Sequence, residues 1–182
     1  MRKSDAAGTR PVPLGLDRLQ TPIGELLLVF RHGFLCALDY AHFGPRMEAL
    51  LTRRFERFEL VAVSKPQRIT SMLARYFGGQ PHALEAIRVD AGGTPYARRV
   101  WAALRTIPAG QTRTYGEFAV QLGGTHARAV GRANSLNPVA IVVPCHRVIG
   151  ADASLTGYAG GLHRKRWLLD HESSAAPFSL PF

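Results

Sequence analysis

Thr114-Tyr115-Gly116-Glu117-Phe118, then Gly123-Gly124-Thr125-His126, then Ala127-Arg128-Ala129-Val130-Gly131 is the stretch on which the fold of the second half turns. Thr114 and Glu117 have capping-box spacing, so a helix starts at Tyr115 with Phe118 and Leu122 on one side. The glycine pair stops it. Thr125 is then placed to cap a third helix running from His126 to about Ser135, with Ala127, Val130 and Ala133 facing inward. Two short helices about a glycine turn outline a helix-turn-helix. Upstream, Thr94-Pro95 gives an N-cap and an N1 proline to an earlier helix. Its apolar face is Tyr96, Val100, Ala103, Leu104 and Ile107, and Pro108-Ala109-Gly110 ends it. Residues 92–172 are therefore expected to form a mainly helical C-terminal domain.

The first half has another character. Residues 1–15, polar with Pro11, Pro13 and Gly15, are expected to be a loose tail. Glu25–Phe30 and Phe34–Tyr40 are apolar runs joined by Arg31-His32-Gly33, a β-hairpin signal. A helix is expected over 45–57 from Met47, Leu50, Leu51 and Phe55, a third strand over Phe58–Val63, and a second helix over Pro66–Phe77 carrying Ile69, Leu73 and Phe77. Residues 16–91 thus read as a small N-terminal domain of antiparallel sheet with helices, and the whole chain as α+β. Residues 173–182 read as a C-terminal tail.

Of 182 residues, 23 are Lys or Arg and 13 Asp or Glu, a formal charge of +10. Such a field attracts polyanions, nucleic acid above all. Only Lys3, Lys65 and Lys165 are lysines; arginine suits planar contacts with phosphate and stacking on bases. Four carboxylates follow residue 91, so each one there invites a question. Two cysteines, Cys36 and Cys145, make no disulfide framework. Met1–Leu14 lacks the apolar core of a signal peptide, and no apolar run approaches the roughly 20 residues of a membrane helix. A cytoplasmic location with free thiols is expected. Cys36 lies between His32 and His42, but three ligands fall short of a structural zinc site, and a small buried hydrophobe is the simpler reading.

After the third helix, Asn137-Pro138 turns the chain into the apolar run Val139–Val143, which ends in Pro144-Cys145-His146-Arg147-Val148. A lone cysteine is usually structural. One followed by histidine and arginine is a nucleophile candidate, because a nearby base and cation favour the thiolate. An unperturbed thiol, with a pKa of about 8.5, is only slightly ionised near neutrality, so a base is needed.

Pro144–Val148 resembles the active-site motif of the O6-alkylguanine-DNA alkyltransferases. Ala127–Gly131, Asn137-Pro138, Thr156-Gly157-Tyr158-Ala159-Gly160-Gly161 and the segment Lys165–Glu172 follow the family's order and spacing, and Thr21–Leu28 resembles the N-terminal domain of bacterial members. The resemblance implies repair by direct reversal: one irreversible transfer of an alkyl group from O6-alkylguanine, and from O4-alkylthymine, to Cys145. It implies that His146 takes the thiol proton through a water, Glu172 orients the imidazole, Asn137 shapes the turn beneath the thiol, and Tyr115 assists the departing purine. Pro144, Val148, Tyr158, Ala159 and Gly160 would wall the base pocket. Ala159 stands where some members carry serine, removing one hydroxyl contact. Arg128 would enter the stack vacated by a flipped nucleotide, while Ala127, Ala129 and Gly131 approach the minor groove and Arg132 reaches phosphate. The expected partner is double-stranded DNA carrying the lesion, met by a protein that is monomeric when free. No cofactor, metal, membrane or obligate protein partner is expected.

Three rivals share parts of this pattern. A non-catalytic alkyltransferase-like lesion binder would replace the reactive cysteine, which stands here as Cys145. A regulator reading the major groove would want polar side chains on the third helix, which is mostly alanine and glycine. A cysteine hydrolase with a Cys-His-Glu relay would need an oxyanion hole and leave the basic helix-turn-helix unexplained.

Overall fold

The computed structural model describes residues 10–63 and 67–173. The expected tails fall outside the described residues over 1–9 and 174–182, whereas Ser173 belongs to the last helix. Strands β2 (Leu26–Arg31) and β3 (Phe34–Tyr40) form the hairpin, with Arg31 opposite Phe34. His32 and Gly33 at its tip take φ of 51° and 76°, the left-handed pair whose twist matches that of the flanking strands. Farther along, Val29 pairs with Ala37 but Phe30 pairs with Leu35, so Cys36 is the extra residue of a β-bulge. The bulge lets Leu35 and Leu38, three residues apart, both reach the same core.

Two expectations fail here. Residues 12–15 are not tail: β1 (Val12–Leu19) lies inside the sheet, whose order is β3-β2-β1-β4 with β4 at Phe58–Ala62. Pro13 and Gly15 suggested otherwise, but the proline costs the ladder nothing. The Val12 N–H donates to Arg57 O, so by strand alternation the Pro13 nitrogen faces the other side, where β2 pairs with β1 only from Gly15 onward. Nor is the sheet wholly antiparallel. β4 (Phe58–Ala62) runs parallel to β1 after a crossover through helix α1 (Gly44–Phe55).

Alternation sorts the sheet's side chains between two cores. Leu14, Leu27, Val29 and Ala37 pack against Met47 and Leu51 of α1. Leu26, Leu28, Phe30, Leu38 and Tyr40 face the other way, against Ile69, Leu73 and Tyr76 of α2 (Arg68–Phe77). That second core continues into the helical half through Val100, Leu104, Phe118, Val130 and Leu168.

The helical half comprises α3 (Pro95–Leu104), α4 (Tyr115–Gln121), α5 (Ala127–Ser135) and α6 (Leu162–Ser173). Thr94 caps α3 by accepting from the Ala97 N–H, and Thr114 and Glu117 form the complete capping box of α4. Thr125 is not the cap of α5. His126 holds that position without a side-chain bond, and the Thr125 hydroxyl instead meets Tyr96 Oη at 3.1 Å. Ala127 does not face inward either; the buried side chains of α5 are Val130, Ala133 and Asn134. The Trp101 indole N–H donates to Ala133 O at 3.0 Å, tying α5 to α3.

After α5 the chain returns to the sheet. The Leu38 N–H donates to Pro138 O and the Ala140 N–H to Leu38 O, so residues 138–140 dock on the free edge of β3. The run Val139–Val143 is fully packed yet is not a strand, for it turns at Ile141, whose φ is 69°. Cys145–Arg147 form one 3-10 turn, and β6 (Val148–Ile149) pairs in parallel with β5 (Arg113–Thr114). Among the described residues no helix is long and apolar enough to cross a membrane.

Candidate active site

The loop that carries Cys145 is held by one side chain. Asn137 accepts from the Val139 N–H at 3.0 Å through Oδ1 and donates through Nδ2 to Val143 O at 2.8 Å. The same Nδ2 stands 3.3 Å from Cys145 Sγ. Asn137 thus fixes the turn and gives the sulfur a hydrogen-bond donor.

Behind the cysteine lies a buried polar cluster. His146 Nε2 is 3.0 Å from Glu172 Oε1, and Arg147 grips the same carboxylate with Nη2 on Oε1 and Nε on Oε2, both at 2.8 Å. Arg147 Nη1 also donates to Ile107 O. From α2, the Tyr76 hydroxyl donates to Oε1 at 2.8 Å. Burial alone would raise the Glu172 carboxyl, but His146 and Arg147 hold it far below the usual carboxylate range. Burial pushes the His146 imidazole below its ordinary value, against the pull of Glu172. The pair is therefore a neutral imidazole on an ionised carboxylate, because Arg147 already supplies a permanent positive partner. With Nε2 committed, Nδ1 is the imidazole nitrogen with no hydrogen-bond partner.

The arginine does not act as the sequence suggested. Its guanidinium is spent on Glu172, and the cations that bear on the thiol are Lys165 and Arg46. Lys165, wholly buried, donates to Val148 O at 2.6 Å and Thr156 O at 2.7 Å. Burial lowers its pKa to about 8. Arg46 of α1 is anchored on buried Asp39 and donates to Ser135 O at 2.8 Å and Asn137 O at 3.1 Å. Even so, burial prevails and the Cys145 thiol is raised above its ordinary value.

Cys145 opens on a cavity of about 400 Å³ whose wall includes Tyr115, Asn134, Thr156, Tyr158 and Ala159. Pro144, Val148 and Gly160 are not part of this wall. Val148 is buried in the core, and Pro144 lines a different depression together with Ile107 and Arg147. Gly160 acts one layer back: a Cβ there would lie 2.4 Å from the Tyr40 ring and 2.7 Å from that of Tyr158. Tyr158 Oη meets Tyr40 Oη at 3.2 Å, so strand β3 props the tyrosine on the cavity wall. Burial raises the Tyr115 phenol, while Asn134 and Thr156 nearby pull it down.

Around the N-terminal part of α5 a wider open groove is lined by His126, Arg128, Ala129, Gly131, Arg132 and Ser135. Arg128 and Arg132 are exposed, as is Ala127. Gly131 of this helix lies beside Tyr115, where a Cβ would stand at an ordinary contact distance of 3.8 Å from the ring. The structure therefore gathers Cys145, Tyr115, Tyr158 and Ala159 in one cavity, His146 and Glu172 behind it, and Arg128 on the rim helix. Sequence reasoning missed Tyr76, Asn134, Tyr40, Arg46 and the functions of Arg147 and Lys165. A buried tyrosine hydroxyl demands a partner, but no local signal shows that the partner of Tyr76 lies near residue 172.

The chain is similar to known proteins of one family. Residues 95–174 match the family described as the DNA-binding domain of 6-O-methylguanine DNA methyltransferase. A methylated-DNA–protein-cysteine methyltransferase of Salmonella typhimurium is 48% identical over 160 residues, covering 86% of this chain and 94% of the relative. The crystal structure of the Mycobacterium tuberculosis O6-methylguanine methyltransferase superposes with a TM-score of 0.74 at 39% identity, covering 91% of this chain and 96% of that one. The M. tuberculosis protein in complex with DNA gives a TM-score of 0.72 at 40% identity, over the same 91% and 96%.

Proposed function

This chain belongs to the methylated-DNA–protein-cysteine methyltransferases, DNA-repair proteins that move an alkyl group from DNA onto a cysteine of their own, and from that premise we propose that Cys145 is the acceptor and O6-alkylguanine, extruded from duplex DNA, the donor. The observation that carries the reading is the position of Cys145 Sγ, held by Asn137 Nδ2 at the wall of the cavity, with the His146–Glu172 pair behind it.

A raised thiol needs a base, and His146 supplies one. Its Nδ1 takes the thiol proton through a water, and the cation so formed is stabilised by ionised Glu172. The sulfur then forms a bond to the alkyl carbon as the carbon–O6 bond breaks, and the electron pair leaves with the purine. Tyr115, whose phenol is raised by burial, donates a hydrogen bond to the departing base and disperses its charge. The product thioether has no leaving group that water displaces, so each molecule reacts once. O4-alkylthymine offers the same kind of carbon–oxygen bond and is a second substrate.

The target oxygen is inaccessible inside a stacked duplex, so the nucleotide must be rotated out at a cost of a few kcal/mol, less for a poorly paired lesion. Arg128, exposed on α5, fills the vacated stack, while Ala127, Ala129 and Gly131 allow the helix to approach the minor groove and Arg132 meets phosphate. Binding is carried by phosphate contacts, suits any sequence, and needs no second protein copy.

Mass spectrometry after exposure to DNA containing O6-methylguanine tests the whole reading. One methyl group on the peptide holding Cys145, never more than one per molecule, is expected. Cys145→Ser should bind lesion DNA without transfer, and Cys36→Ser should transfer normally. Methylation elsewhere, or repeated turnover, would overturn it.

A further inference from the structure

Arg164 has no part in the chemistry described so far. It is the third residue of α6, whose first turn carries no acidic residue. A cation there faces the positive end of the helix dipole, an unfavourable place for it, so the helix itself does not account for the arginine. The side chain instead spans the two halves of the protein. Its Nε donates to Ile23 O at 2.7 Å, just before β2, and its Nη1 donates to Gly160 O at 2.8 Å and to His42 Nε2 at 3.1 Å. The guanidinium carbon lies over the Tyr40 ring, 4.3 Å from its centroid, well within cation–π range.

Two of these contacts bear on the same cavity side chain. Tyr40 meets the Tyr158 hydroxyl at 3.2 Å, and Gly160 packs against both rings. Burial raises both phenols, so each keeps its proton and the contact is a hydrogen bond between neutral groups. Tyr158 in turn stands edge-on to His146, with ring centroids 6.4 Å apart and planes at 83°. The stretch Thr156–Gly160 has no regular secondary structure to hold it. Consecutive residues of α6 fasten its two ends instead, Lys165 at Thr156 O and Arg164 at Gly160 O, with Tyr158 midway. We propose that Arg164 is a positioning residue for alkyl transfer: it ties the Gly160 end of the cavity loop to the N-terminal half, steadies the Tyr40–Tyr158 pair, and so sets where the Tyr158 wall stands relative to Cys145. This rests on the alkyl-transfer function above. Misplacing a reacting group by about 1 Å can cost about a hundredfold in rate, so a residue that touches neither base nor thiol can still govern the reaction.

Arg164→Met keeps the apolar stem and removes both the fork and the charge. Single-turnover transfer from duplex O6-methylguanine to Cys145 is measured at saturating DNA, beside equilibrium binding to the undamaged duplex and alkylation of the Cys145 peptide by iodoacetamide. The limiting transfer rate should fall at least about fivefold. Affinity for the undamaged duplex should hold, and iodoacetamide should react no more slowly, since that small reagent needs no aligned cavity. Arg164→Lys restores a cation over Tyr40 and a single donor group, and should recover part of the loss. Tyr40→Phe keeps the ring beneath the guanidinium and cuts the link to Tyr158. It should slow transfer by itself, yet add little in the Arg164→Met background, because both changes act through Tyr158. Should Arg164→Met fail to fold, Arg164→Lys and Tyr40→Phe carry the same test. Transfer at the unaltered rate by the folded variants, or equal losses in transfer and in iodoacetamide alkylation, would overturn the assignment while leaving the transfer reaction intact. Absence of Cys145 methylation with the unaltered protein would instead reject the underlying function.

Discussion

Tyr76 and Glu172 stand 96 residues apart in the chain, and the tyrosine hydroxyl donates to the carboxylate at 2.8 Å with both side chains out of solvent. The bond joins a helix packed on the N-terminal sheet to the carboxylate that orients His146. Glu172 Oε1 is therefore shared by Tyr76, His146 and Arg147. Removing one donor leaves more of its charge to the others.

Tyr76→Phe keeps the ring and deletes that donor. Stability should fall by about 1.5–3 kcal/mol, the worth of a hydrogen bond to a charged group. With more negative charge available, His146 becomes a stronger base, so the acid limb of the transfer rate should move to higher pH. Single-turnover rates across pH, beside urea unfolding, check both effects. A tyrosine that only packs would lower stability without moving the limb.

Glu172→Gln removes the charge that balances Arg147. Breaking a buried ion pair in this way costs about 3–5 kcal/mol, so a marked drop in unfolding midpoint is expected. Transfer by the folded fraction should slow near neutral pH, since the imidazolium loses its stabilising partner, while lesion binding changes less. Glu172 itself does not cause the acid sensitivity of the native protein at mild pH. Its carboxyl is held far down, so its contribution is full above the ordinary carboxylate value of 4.5 and is lost progressively below it, as pH falls toward that low value. His146 titrates first. Its folded-state pKa is below the ordinary 6.5, so as pH drops through that ordinary value the unfolded chain gains a proton that the folded chain resists. Stability should begin to fall there, as chemical unfolding between pH 7 and 5 would record.

Lys165 makes the opposite end of the pH range informative. Its pKa falls from an ordinary 10.5 to about 8 on burial. Between those values the unfolded chain holds a proton that the folded chain has lost, so this lysine makes stability rise with pH across that window. Lys165→Met should flatten the rise. It also removes a cation that lowers the Cys145 pKa, so alkylation of that thiol by iodoacetamide should shift to higher pH. An unaltered alkylation profile would separate Lys165 from the nucleophile.

Arg128→Ala should act on extrusion. Transfer from duplex DNA should fall at least about tenfold, equivalent to roughly 1.4 kcal/mol in the barrier, while the free methylated base, which needs no extrusion, reacts near normally. A lesion opposite an abasic gap should recover part of the loss. Equal losses on free base and duplex would mean that Arg128 supports the fold.

Features set by neighbours in the chain were legible. The His32-Gly33 turn, the Thr114–Glu117 box and the Thr94 cap each depend on a few consecutive residues, and each forms as the sequence indicates. Cys145 and His146 are adjacent, and Asn137 reaches the sulfur within one loop. Local signals also misled. Pro13 and Gly15 hid a strand that tolerates them only because of where its partners begin and end. Thr125 had the right spacing for a cap, but its hydroxyl found Tyr96 instead.

By itself the sequence determined the family and the α+β class, because these follow from residue types at short range and from a motif with fixed spacing. Only the tertiary structure decided that the sheet is mixed, that Arg147 serves Glu172 and not the thiol, and that Tyr76 completes the carboxylate's shell. Each of these is a pairing between segments distant in the chain. A polar side chain declares that it needs a partner once buried; which partner it meets depends on how sheet, loop and helices pack together.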